Sequence, residues 1–116
     1  MRNKSLKKRC EKQVLPKFEG VCKTYDKVQT ATAVALSQQT DIKNIRCNVE
    51  SFTLDGKTYT TDFVYEKVDG EVGVRECVFR NFLMKPLTVK LLDASHSFWL
   101  SRGITDWGIV IDEVNE

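Results

Sequence analysis

The dipeptide Asp55-Gly56 does most to restrict how this chain can fold. Asp-Gly suits a two-residue turn with positive φ at its centre, and strand-like runs flank it on both sides. Upstream, residues 44–54 (NIRCNVESFTL) set Ile45, Cys47 and Val49 against polar neighbours, with Phe52 as a further inward candidate, which is the period of a half-buried strand. Downstream, residues 57–66 (KTYTTDFVYE) read as the returning strand. Val68-Asp69-Gly70 supplies a second turn, and residues 71–79 (EVGVRECVF) read as a third strand. The spacing therefore predicts a three-stranded meander.

Helical patterns flank the meander. In residues 26–39 (DKVQTATAVALSQQ), Asp26 is placed as an N-cap and Val28, Ala31 and Ala35 form an apolar face. The Thr and Val residues there weaken the helix, because β-branched side chains lose rotamer freedom in it. After the meander, Pro86 suits the first turn of a second helix. Its predicted apolar face is Leu87, Leu91, Ala94 and Phe98, joined by Leu92 and Trp99, and Arg102-Gly103 ends it. Residues 107–111 (WGIVI) are almost wholly apolar, which predicts a central strand. The order αβββαβ implies an α/β fold with a mixed central sheet flanked by helices.

With 116 residues, 41% hydrophobic and 29% charged, the chain suits one globular domain. It has no apolar run near the ~18 residues that cross a bilayer. The basic N-terminus lacks the apolar stretch of a secretion signal, so a cytoplasmic protein with no membrane partner is expected. In that setting Cys10, Cys22, Cys47 and Cys77, with no CxxC pair, are expected as free thiols. His96 has no cysteine near it that would suggest zinc.

Residues 1–24 read as a basic N-terminal segment and residues 25–116 as a single domain. Arg2, Lys4, Lys7, Lys8, Arg9, Lys12 and Lys17 crowd that segment, against Glu11. Lys4, Lys7, Lys8 and Arg9 are candidates for salt-dependent contacts to DNA phosphates, although a solvated leader has the same composition.

Two acids fall on adjacent predicted strands, Asp62 on the second and Glu76 on the third. If the Val68-Asp69-Gly70 turn pairs these strands, both carboxylates project from one region, converging at an open edge as hard ligands for Mg²⁺ or Mn²⁺. The Cys77 carbonyl would complete the protein ligands. Solvated strand acids have the same spacing, so the neighbouring residues must decide between the two readings.

Those neighbours carry a family resemblance. Tyr59-Thr60-Thr61-Asp62-Phe63 resembles the YTPDF strand of PD-(D/E)XK nucleases, with Thr61 at the proline position. Arg75-Glu76-Cys77-Val78 falls where that family carries its E-x-K half-motif. Lys90-Leu91-Leu92, Phe98-Trp99, Arg102-Gly103-Ile104 and Trp107 look most similar to TnsA subunits of heteromeric transposases, over roughly residues 26–114.

The resemblance implies a restriction-endonuclease-like core and metal-dependent cleavage of DNA at transposon ends, beside a DDE transposase. It makes Asp62 and Glu76 metal ligands, with Gln29 at the position of the first-helix acid. Val78 stands where the family has its catalytic lysine, and valine can neither donate a proton nor carry charge. Arg80, Lys85 or Lys90 would have to replace that cation, and Glu11 or Glu19 could stand in for the helix acid. Otherwise the domain binds DNA or a transposase partner without cutting. Trp99 and Trp107 are expected in helix–sheet packing, and His96 on the polar flank of its helix.

Overall fold

The computed structural model describes residues 10–112. In chain order these form β1 (Glu11–Gln13), β2 (Cys22–Thr24), α1 (Lys27–Ser37), β3 (Ile42–Leu54), β4 (Lys57–Lys67), β5 (Val72–Val78), a 3-10 turn (Arg80–Phe82), α2 (Pro86–Ser101) and β6 (Asp106–Ile111). The Asp55-Gly56 turn forms as expected, with φ of 52° and 78°, the positive values a tight hairpin between right-twisted strands requires. Asp26 caps α1 by accepting the Gln29 N–H at 2.9 Å, and Pro86 opens α2. Gly103, at φ 83°, follows its C-terminus.

The main sheet has the order β3-β4-β5-β6. β3, β4 and β5 are antiparallel neighbours, and α2 carries the chain over so that β6 runs parallel to β5. This is a mixed α/β domain with a helix on each face. Phe63, Tyr65 and Cys77 join Val28, Ala33 and Leu36 in a core beneath α1. Val64 and Val74 join Trp99 in a second core beneath α2, with Phe98, Ile104 and Trp107 packed around it.

Three expectations are corrected. β6 is an edge strand, not a central one. Its apolar residues are divided, with Val110 and Trp107 packed on opposite cores while Ile109 and Ile111 are exposed. The buried stripe of α2 is Thr88, Leu92, Ser95 and Trp99, and Leu87 points outward. On α1, Gln29, Thr32, Ala33 and Leu36 turn inward with Val28, whereas Ala31 and Ala35 are exposed. In both helices buried polar side chains claim the inner face, which an apolar periodicity overlooks.

Residues 11–24, where the sequence reading finds no strand, also contribute to the domain. β1 and β2 form a two-stranded antiparallel ribbon, and Cys22 and Thr24 are buried. The segment before β2 docks through a parallel bridge between Phe18 and Ile45. Lys4, Lys7, Lys8 and Arg9 lie outside the described residues.

Between β4 and β5, Tyr65 lies opposite Gly73, and a Cβ on that glycine would stand 2.3 Å from the Tyr65 ring. The Tyr65 hydroxyl donates to Asp106 at 2.8 Å, and Arg75 pairs with Asp106 at 2.9 Å, so the ring cannot swing aside without breaking a cross-sheet cluster. Gly73→Ala should therefore lower unfolding free energy by about 1–3 kcal/mol through overpacking. Gly108→Ala, whose Cβ would meet Arg75 at 3.5 Å, should leave the urea midpoint nearly unchanged. Equal midpoints for the two variants would contradict this packing.

Candidate functional site

The ladder between β4 and β5 runs from Glu66↔Val72 to Phe63↔Arg75. Beyond that pair the strands part company. β4 continues with β3 to the Asp55-Gly56 turn, while β5 continues with β6 to Val78↔Ile111. Asp62 and Glu76 occupy the crotch of this fork.

There the side chains continue what the backbone ladder leaves off. The Glu76 carboxylate accepts the Asp62 backbone N–H at 3.1 Å, and the Asp62 carboxylate accepts the Cys77 backbone N–H at 2.7 Å. Each acid thus satisfies a main-chain donor on the opposite side of the fork. Buried N–H groups without partners are costly, so this exchange stabilises the divergence.

The two helices complete the set. Ser95 of α2 donates to the second Glu76 oxygen at 2.6 Å and accepts from Trp107 Nε1 at 3.1 Å. Gln29 of α1 donates from Nε2 to Asp62 at 3.3 Å and to Asn48 Oδ1 at 2.9 Å, while its own Oε1 accepts the Tyr25 N–H at 2.9 Å. Asn48, on β3, has φ 54°, a left-handed conformation that asparagine tolerates better than most residues. The chain changes face at this level: Cys47 and Phe63 pack toward α1, whereas Val49 packs beneath α2 and Thr61 accepts from Trp99 Nε1 at 3.1 Å.

Three residues singled out in the sequence, Gln29, Asp62 and Glu76, therefore meet, each with 0% exposure. They lie inside the domain and not at an open edge. Gln29 offers Asp62 its NH₂ end, so in this arrangement it orients the carboxylate and does not present an oxygen beside it. The Cys77 N–H is likewise directed at the site.

Of the cations considered as substitutes, the side chains of Lys90 and Lys85 are engaged elsewhere. Lys90 pairs with Asp55 at 2.6 Å, Lys85 lies 4.7 Å above the Phe82 ring, and Arg80 is exposed with its backbone N–H on Asp112. Val78 is buried at 3% exposure. Glu11 accepts from Thr30, and Glu19 from Asn44. His96 is exposed and stacks on Trp107 at 4.6 Å.

Sequence reading missed Ser95, Asn48 and Tyr59. Ser95 belongs to the stripe 88-92-95-99, which has helical spacing but is half polar and so yields to the more apolar 87-91-94-98. Tyr59 is buried, with its hydroxyl beside Glu76 and Ser95. Burial first, then the charges of Glu76 and Asp62, push its pKa far above the ordinary tyrosine value, so it remains a neutral donor.

Two carboxylates are suitable charged ligands for a hard divalent cation. The Tyr59 hydroxyl beside them, which makes no close hydrogen bond, is a further oxygen at the site. By donor chemistry the fork fits such an ion. Neither a protein-family model nor a curated protein matches the chain.

Asp62→Asn tests the structural part of the site. The amide would turn an NH₂ toward either Gln29 Nε2 or the Cys77 N–H, leaving a buried donor facing a donor. Stability should fall by about 1–3 kcal/mol in urea unfolding. Asp93→Asn, on the exposed side of α2, should change it little. Equal, small effects would show that the Asp62 carboxylate does not hold the fork.

Proposed function

We propose that the chain is a TnsA-type nuclease module of the PD-(D/E)XK class, using a divalent cation at the Asp62–Glu76 fork to hydrolyse DNA at transposon ends beside a DDE transposase. The observation that carries this reading is the meeting of Gln29, Asp62 and Glu76, from α1, β4 and β5, at one fork. These residues occupy the positions that the resemblance assigns to the site, and the strand order places the two acids together.

When bound, Mg²⁺ or Mn²⁺ polarises a phosphoryl oxygen and lowers the pKa of a water molecule. Asp62 and Glu76 would hold the ion. Gln29 and Ser95 fix the two carboxylates from opposite helices, so their orientation is set before any ligand arrives. Tyr59, kept protonated, is a neutral hydroxyl beside the two carboxylates. Both acids have no exposed surface, so an ion reaches them only when the packing around the fork opens.

A second reading has its own observation. Val78, buried where the resemblance calls for lysine, provides no charge to orient a nucleophile. With both carboxylates bonded to main-chain N–H groups, the same residues also make a sound structural plug. The domain would then bind DNA or a transposase partner without turnover.

Incubation of the protein with supercoiled plasmid and Mn²⁺ separates the readings. The first predicts nicked circles, with at least about a tenfold loss of rate in Glu76→Gln, as expected when a metal ligand is weakened. Retardation of DNA in a gel without nicking would favour the binding module. A protein that neither cuts nor retards DNA would overturn the nuclease reading and leave, of the second, only binding to a transposase partner.

A further inference from the structure

Outside the fork, Cys22 and Cys47 are neighbours across the contact between β2 and β3. The contacts on either side of the pair fix their proximity. Cys47 Sγ lies 3.9 Å from the Val21 carbonyl oxygen, and Asn48 Nδ2 donates to the Lys23 carbonyl at 2.7 Å, so Cys22 is bracketed by residues that touch Cys47 and Asn48. Both cysteines belong to the core beneath α1, Cys22 fully buried at 1% exposure and Cys47 half-buried at its margin. Cys77 is buried against Thr32, to which its thiol donates at 3.4 Å.

We propose that Cys47 and Cys22 form a peroxide-sensitive pair, in which Cys47 is oxidised first and Cys22 then closes a reversible disulfide between β3 and β2. The division of roles follows from position. Only Cys47 has surface for a small oxidant to reach, whereas Cys22 needs no solvent access because its target is the adjacent sulfur.

The chemistry balances with hydrogen peroxide as oxidant. The Cys47 thiolate attacks one peroxide oxygen; an S–O bond forms, the O–O bond breaks, and two electrons pass from sulfur to oxygen. The departing hydroxide takes a proton and leaves as water, giving a sulfenic acid at Cys47. Cys22 then attacks the Cys47 sulfur as it loses its proton. The S–S bond forms, the S–O bond breaks, and that proton leaves with the hydroxide as a second water.

The surroundings favour this order. The neighbouring Cys22 thiol is the largest influence on Cys47; burial opposes it, but main-chain groups of Lys23 and Cys47 and the side chain of Asn48 assist, and the Cys47 pKa is lowered. The same contact with Cys47, followed by burial, pushes Cys22 upward. Of the pair, the half-buried thiol is thus the one whose ionisation the surroundings favour, and the thiolate is the form that reacts with peroxide.

The test treats the folded full-length protein with hydrogen peroxide, blocks remaining thiols with an alkylating agent, and maps peptides by mass spectrometry without reduction. A Cys22–Cys47 cross-linked peptide should accumulate, at least about tenfold faster than oxidation at Cys10 or Cys77, and dithiothreitol should reverse it. Cys22→Ala should leave a sulfenic acid at Cys47 that dimedone traps, and Cys47→Ser should abolish the cross-link. Oxidation at Cys10 or Cys77 at the rate of Cys47, or cross-links only between molecules, would overturn the proposal on the wild-type protein alone, whatever the stability of the variants.

Discussion

The structure depends on a reciprocal exchange at the point where β4 and β5 diverge: the Glu76 carboxylate takes the Asp62 N–H, and the Asp62 carboxylate takes the Cys77 N–H. A sheet that forks this deep in a domain would otherwise strand main-chain donors away from water. Two buried carboxylates would be equally costly alone, since an unpaired ion in a low-dielectric interior loses several kcal/mol of solvation. Each liability offsets the other. The bonds from Gln29 and Ser95 then extend the arrangement to both helices, so α1 and α2 are positioned relative to the same polar centre.

That centre also explains which parts of the fold were readable in the sequence. The Asp55-Gly56 hairpin, the Asp26 cap and the Pro86 start follow from local conformational preferences, and tertiary packing leaves them in place. The buried faces of the helices do not follow from apolarity alone, because Gln29 and Ser95 point inward to serve the carboxylates and rotate the buried stripe of each helix with them. β6 shows a different limit. A run such as WGIVI is apolar whether its strand has neighbours on both sides or only covers two cores from the edge, and only its pairing distinguishes the two. The strands at 11–13 and 22–24 are too short, and too polar in β1, for periodicity to register.

The site shows the same division. Asp62, Glu76 and Gln29 could be chosen from motif resemblance because each has a fixed place in the order of elements. Asn48 could not, since it matters through a left-handed backbone conformation, and Tyr59, although it opens the quoted motif, gains its place only through burial of its hydroxyl beside the carboxylates. Val78, two residues after Glu76 on β5, is buried and apolar and can bring neither charge nor proton to a ligand.

Structural plug and cation site are compatible roles for one set of carboxylates, because a carboxylate oxygen can accept more than one partner. The most direct test of the cation site is a crystal structure from Mn²⁺-soaked crystals, with anomalous scattering recorded at a wavelength that identifies manganese. The account predicts one strong peak at the fork, within coordination distance of both Asp62 and Glu76. Manganese bound elsewhere, or an unaltered fork at saturating Mn²⁺, would contradict it.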